Sequence, residues 1–198
     1  MDGMLMKRLV VFLFVLIAAA GISLPTAAKE QAMVQAMVDE VVLLLSNKNL
    51  DREGRLKGLR GLFSKYMDLP FVGRFVLGRH WRPLDAGKQA EYTAAFEDYV
   101  INIYAKRLDG YSGETINVSG ARAVNDQDTL VSSELRRAEG PPVSLEWRVR
   151  QLNGAQKIID VTVEGVSMAI SQREEFSSYL QQHSIDNLIA RLKQESAN

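Results

Sequence analysis

Cysteine is absent from the sequence, which removes disulfide staples, thiolate-held haem and thiolate metal sites from consideration. Histidine is almost as scarce. His80 and His183 stand far apart with no clustered carboxylates beside them, so no metal site is signalled and no cofactor is expected. No Gly-x-Ser-x-Gly elbow supplies a nucleophile. Neither sign of charge is in excess, with 24 Lys and Arg against 24 Asp and Glu, so nothing pulls at long range on a phosphate backbone. Nucleic acid is thereby excluded as a partner. Internal repeats, low-complexity tracts and domain-splitting linkers are missing too.

What is present begins at the N-terminus. Lys7 and Arg8 precede an unbroken apolar run from Leu9 to Ala20, and the chain then softens through Gly21, Ser23 and Pro25 to Thr26, Ala27 and Ala28. That order is the tripartite pattern of a secretory signal, with small residues at the positions read by a signal peptidase that cuts after Ala28. The run is shorter than the roughly 20 residues needed to cross a bilayer; extension to Leu24 would give an uncleaved anchor instead. Residues 1–28 are therefore expected to be a cleaved signal and 29–198 one domain in the periplasm, large enough to bury a core without staples. Trimming removes two basic residues and one acidic one, which keeps the mature chain close to neutral.

Helical spacing dominates the first half. Met33, Met37, Val41 and Leu44 mark a helix over Glu30 to Leu45. Asp51 caps a second helix through Leu56, Leu59, Leu62, Phe63 and Tyr66, weakened by Gly54, Gly58 and Gly61. Asp68 caps a third with Pro70 in its first turn, Leu69, Val72 and Val76 on one face, Phe71 and Phe75 on another, and Gly78 to end it. Asp85 starts the longest, running to about Asp109.

After Gly113 the period falls to two, with strands expected near Thr115 to Ser119, Thr129 to Arg136, Val143 to Gln151 and Gln156 to Ser167. Val143, Leu145, Trp147 and Val149 alternate with polar residues, as do Ile159, Val161 and Val163, and Asn153-Gly154 offers a tight hairpin between the two strands. Ser171 with Glu174 reads as a capping box for a terminal helix, and Asp186 as the cap of a last segment. The fold class is α+β: N-terminal helices, a curved four-stranded antiparallel sheet and a C-terminal helix around an apolar cavity. Two chemical candidates compete with plain structural roles: His80 beside Trp81, and Asp160 with Glu164 as paired acids on one strand face.

At Phe75-Val76-Leu77-Gly78-Arg79-His80-Trp81-Arg82, then Gln89, Phe96, Tyr99 and Tyr104-Ala105-Lys106-Arg107-Leu108, the chain resembles the MlaC family, also called the toluene-tolerance auxiliary proteins. A second block is similar: Glu146-Trp147-Arg148-Val149-Arg150, Asp160-Val161, Glu164-Gly165-Val166-Ser167-Met168, Phe176 and Ile185-Asp186-Asn187-Leu188. His183-Ser184 departs from a glycine frequent there in relatives.

The resemblance implies a fold of the nuclear-transport-factor type and a periplasmic phospholipid carrier rather than an enzyme. Such a carrier serves outer-membrane lipid asymmetry by shuttling between an outer-membrane lipoprotein complex and an inner-membrane ABC transporter. A hopanoid-associated branch is similar, which makes a polycyclic lipid the alternative cargo. A small enzyme of the same fold, with His80 or Asp160 as base, and a ligand-free adaptor are the competing classes. A ferry for a two-chain lipid must enclose about 30 methylenes, which calls for a cavity of the order of 1,000 Å³. Its expected lipid-binding walls are Phe71, Phe75, Val76, Tyr99 and Ile103 from helices, and Leu145, Trp147, Val149, Val161 and Val163 from strands.

Overall fold

A computed structural model describes residues 26–108, 110–152 and 154–197. Residues 1–25, which carry most of the expected signal, lie outside the described residues, as do Asp109 and Asn153. Among the described residues four helices come first: α1 (Thr26–Ser46), α2 (Arg52–Tyr66), α3 (Leu69–Leu77) and α4 (Ala86–Leu108), with a 3-10 turn at Gly78–His80 between the last two. Asp51, Asp68 and Asp85 start α2, α3 and α4 as their positions predict. Each carboxylate accepts a backbone N–H three residues on, from Gly54 at 2.7 Å, Phe71 at 2.9 Å and Lys88 at 2.8 Å.

The sheet follows as an open meander of β1 (Thr115–Ala123), β2 (Asp128–Arg136), β3 (Val143–Leu152), β4 (Ala155–Val163) and β5 (Val166–Ser167), every neighbour antiparallel. Five strands thus replace the expected four, and the sheet is uncurled. The continuous strand expected over Gln156 to Ser167 is in fact a hairpin, because Glu164 (φ 50°) and Gly165 (φ 81°) both turn left-handed and reverse the chain. β1 also runs on to Ala123, past a register shift between Val118 and Gly120.

Two helices close the chain, α5 (Met168–Tyr179) and α6 (Ile185–Ala197). Their starts differ from expectation. The early reversal at Glu164-Gly165 leaves Ser167, not Ser171, as the α5 cap, its Oγ accepting from the Ile170 N–H at 3.1 Å. Ser171 instead lies inside the helix and donates to the Ser167 carbonyl at 2.9 Å. At α6 the cap is Ser184 rather than Asp186: its Oγ accepts from the Asn187 N–H, and the Asn187 Oδ1 accepts from the Ser184 N–H, both at 3.2 Å.

Alternation sets the two faces of the sheet. Val131 pairs with Trp147 and Trp147 with Val161; Thr129, Val149 and Ile158 form the neighbouring row. This inner face packs against Val34, Met37 and Val38 of α1 and Tyr66 of α2. The opposite face carries Ser132, Glu134, Ser144, Glu146 and Arg148. A second apolar cluster gathers Val72, Val76 and Leu77 of α3, Tyr92, Phe96 and Tyr99 of α4, Phe176 of α5, and Leu188, Ile189 and Leu192 of α6, with Ile159 as its contact to the sheet. A register shift in β4 between its pairings with Arg148 and Val149 lets adjacent Ile158 and Ile159 serve different clusters.

Candidate functional site

The ten expected wall residues separate between these clusters. Val149 is 1% exposed in the sheet-side cluster, with Trp147 and Val161 half-buried at its rim. Leu145 is buried and pairs with half-buried Val163 further along the same face. Val76 and Tyr99 are buried in the helical cluster, and Phe71 and Ile103 pack on its margin. Phe75 points elsewhere: it is 37% exposed and lines a surface groove. Strand residues are therefore brought together, helix residues are brought together, and one shared hollow does not unite them.

Two hollows stand out, and neither is the enclosed chamber of about 1,000 Å³ that lipid tails require. One, among Arg52, Arg55, Leu56, Asn102, Ala105 and Lys106, holds only about 10 Å³. The other is an open groove of about 480 Å³ between α3 and α5. The expected interior is filled by its own side chains: Val34 and Ile158 are 0% exposed and Val131 likewise. Apolar walls that face one another close up unless something holds them apart, which patterning along a sequence does not reveal.

Four residues of α1 and α2 also belong to this wall although the strand pattern did not flag them. Met33, Val34 and Val38 on α1 and Leu62 on α2 all meet the inner sheet face or its rim. The signal was present in the α1 stripe, whose spacing marks a buried face without naming its partner.

Polar groups around the interior serve as ties. Trp147 Nε1–H donates to Ser133 Oγ at 2.8 Å across the strands. Glu40 Oε1 accepts from Lys65 Nζ at 2.6 Å and from the Tyr66 hydroxyl at 2.9 Å, clamping α1 to α2; the Lys65 hydrogen bond leads in holding the Glu40 carboxyl below its ordinary range. Asp128, 2% exposed, takes a bidentate pair of hydrogen bonds from Arg150 at 2.6 and 2.8 Å, and these hold its carboxyl below the usual range. Burial pushes the Tyr99 and Tyr104 phenols up, so both stay neutral at physiological pH.

The two chemical candidates sit in structural positions. Asp160 receives the Ser167 hydroxyl at 2.6 Å and the Ala169 N–H at 3.0 Å, and so anchors the start of α5. Glu164 does not share a strand face with it, being in the left-handed turn, where its carboxylate accepts the Ser144 N–H. His80 lies in the 3-10 turn, where its Nε2 accepts a long contact from Arg79 Nε–H at 3.4 Å. Among the described residues no group of three or more His, Cys, Asp or Glu is placed to hold a metal ion.

An antiparallel sheet with helices packed on one side, an aliphatic inner face and polar groups used as caps and clamps defines an α+β scaffold built around apolar contact. The comparisons make that class specific. The family model described as MlaC protein matches residues 35–194, and the chain belongs to the MlaC family. It is 25% identical over 136 residues to the intermembrane phospholipid transport system binding protein MlaC of Haemophilus influenzae, covering 67% of this chain. The match spans 64% of that relative's length. A solved phospholipid-binding protein from Ralstonia solanacearum, in complex with a phospholipid, has the same fold at a TM-score of 0.72 and 23% identity, covering 84% of this chain and 96% of its own.

Proposed function

We propose that the chain is an exported periplasmic carrier of phospholipid, a mature domain of residues 29–198 after loss of the signal. It passes lipid between an outer-membrane lipoprotein complex and an inner-membrane ABC transporter, and so maintains outer-membrane lipid asymmetry. The observation that carries this reading is the family match over 35–194, which takes in the helical cluster and, apart from Val34, every buried residue of the sheet-side cluster. It is supported by the Haemophilus relative, a binding protein of an intermembrane phospholipid transport system, and by the phospholipid held in the Ralstonia fold.

The tail wall is assigned to Leu145, Trp147, Val149, Val161 and Val163, with Val34, Met37 and Val38 of α1 packed over its Val149 end; Phe71, Val76, Tyr99 and Ile103 go with the helical cluster and Phe75 with the surface groove, outside this wall. Because these walls are in contact, the tails enter by parting the sheet-side cluster rather than by filling a standing hole. Energetics favour this. Burying about 30 methylenes at roughly 0.8 kcal/mol each gives on the order of 20 kcal/mol, well above the cost of separating a few valine contacts. Release then requires a docking partner whose contacts offset the lost burial, and no bond is broken. The carrier class, not an enzyme, is therefore the reading.

The test is gentle purification from cells followed by organic extraction and mass spectrometry. Co-purifying phospholipid is the expected result. A polycyclic lipid in its place redirects the cargo to the hopanoid type, and absence of any lipid overturns the carrier reading.

A further inference from the structure

Glu30 is a carboxyl in an apolar place. It is 2% exposed on α1, one helical turn before Val34 and on the same face as Met37 and Val38, which cover the sheet. Its Oε1 accepts from Gln156 Nε2–H at 2.7 Å, which ties α1 to the start of β4. Oε2 is buried with no hydrogen-bond partner, and no basic side chain among the described residues pairs with this carboxyl. A buried carboxylate oxygen left unmatched costs stability, and a donor brought in by a ligand removes that cost.

The rows of the sheet around it say what kind of ligand. Along the inner face of β3 and β4 the cross-strand pairs run Leu145 with Val163, Trp147 with Val161 and Val149 with Ile158, all apolar, and then Gln151 with Gln156. At that fourth row the seam meets water, for Gln151 is exposed and Gln156 half-buried. A seam apolar over three rows and polar at the fourth has the polarity of a lipid laid lengthwise. What its polar end lacks is a cation. An ammonium group supplies both the missing hydrogen bond and the counter-charge, whereas an anionic headgroup sets like charge against the carboxyl.

We propose that Glu30 selects the headgroup, its free carboxylate oxygen receiving the primary ammonium of a lipid of the phosphatidylethanolamine type. The inference rests on the carrier reading and adds two things to it. The lipid acquires a direction, with its head towards Gln151 and Gln156 and its tails towards Leu145 and Val163. It also acquires a chemical class, since a headgroup without an N–H donor leaves Oε2 as it is.

Competitive loading tests the assignment. Protein stripped of lipid is incubated with vesicles of equal parts phosphatidylethanolamine and phosphatidylglycerol, repurified, and its bound lipid quantified by mass spectrometry. Wild type is expected to take phosphatidylethanolamine about ten-fold over phosphatidylglycerol, the discrimination of one charge-assisted hydrogen bond. Glu30→Gln keeps the shape and the bond to Gln156 but not the charge, and its ratio is expected to fall close to one. A second arm does not depend on the variant folding: wild type offered N-acetylated phosphatidylethanolamine in place of the free amine should also show a ratio close to one. Equal uptake of the two lipids by wild type, or a ten-fold ratio that survives in either arm, overturns the assignment and leaves the carrier reading standing, with Glu30 no more than a tie between α1 and β4. Wild type that loads neither lipid overturns the carrier reading, and this inference with it.

Discussion

The two apolar clusters are built from different materials. The helical one is aromatic and closed: Tyr92, Phe96 and Phe176 are at most 1% exposed, with ring centres 5.9 Å apart for the first pair and 6.3 Å for Phe96 and Phe176. Its outside is laced by Lys88 to Asp186 at 2.7 Å, Lys193 to Glu91 at 2.8 Å and Arg191 to Glu175 at 2.7 Å. The sheet-side cluster is mostly valine and isoleucine, with a half-buried rim of Met33, Leu62, Trp147 and Val161, and one of its covers, α2, contains Gly54, Gly58 and Gly61. Interlocked rings give a fixed body. Small branched side chains under a glycine-bearing helix give a seam that opens at lower cost.

The sharpest way to break that contrast is to hollow the fixed body. Phe96→Ala is expected to lower stability by about 4 kcal/mol, read by chemical denaturation, and to lose lipid only together with the fold. A similar loss of lipid with melting unchanged would move the cargo site into the helical cluster.

Next comes the clamp at the start of β2. Asp128→Asn is expected to cost about 2–3 kcal/mol at neutral pH because Arg150 loses its bidentate partner. The Asp128 carboxyl is depressed in the folded protein, chiefly by hydrogen bonding to Arg150. Its stabilisation is therefore complete above the unfolded value near 4 and is lost as pH falls through the lower folded value. Wild type and variant should converge in melting temperature only once pH has fallen through that lower folded value; a constant gap across the titration would contradict the linkage.

On the seam itself, Val161→Asp places a charge at the half-buried rim. Lipid loading is expected to fall by at least half, with a stability loss of about 1–2 kcal/mol because water still reaches the site. Normal loading in a folded variant would remove Val161 from the tail wall.

Two glycines of α2 sharpen the picture in opposite directions. A Cβ on Gly58 would stand 2.4 Å from Leu44 Cδ1, so Gly58→Ala must displace the Leu44 side chain from between α1 and α2 and should cost about 1 kcal/mol. Gly61 faces open space, and Gly61→Ala should stabilise by about 0.5–1 kcal/mol and slow lipid exchange between protein and vesicles. Faster exchange in Gly61→Ala would show that α2 is not what moves. The smallest effect is expected at His80→Ala: stability within about 0.5 kcal/mol of wild type, normal loading, and bound lipid recovered chemically unchanged.

Much of this architecture is legible in the residues, and the failures have local causes. Asp51, Asp68 and Asp85 announce their helices because a short carboxylate before an amphipathic run has one good use. The β4–β5 reversal was hidden because the alternation runs unbroken to Val163 and glutamate, which stands next at 164, seldom takes a positive φ. That single miss displaced the α5 cap from Ser167 to Ser171. The site was less legible than the fold. Period tells which side of an element is apolar but not which neighbour it meets, so Val76 and Val149, equally good candidates by pattern, end in different clusters. Phe75 shows the converse, a large apolar residue on a helix that turns away from both.

The order of elements also dictates an order of assembly. Every strand of the meander pairs with its chain neighbour, so the sheet closes through short loops at little entropic cost. The helical cluster is different, because the whole sheet is interposed between α4 and α5. Its Lys88 to Asp186 contact joins residues 98 apart in sequence. A chain that emerges N-terminus first has its sheet while Leu188, Ile189 and Leu192 are still absent, and until they arrive Tyr92 and Phe96 present an uncovered aromatic face. The most rigid part of the finished protein is thus the last to form, and the half-made chain carries the kind of exposed apolar surface that chaperones bind and that aggregates.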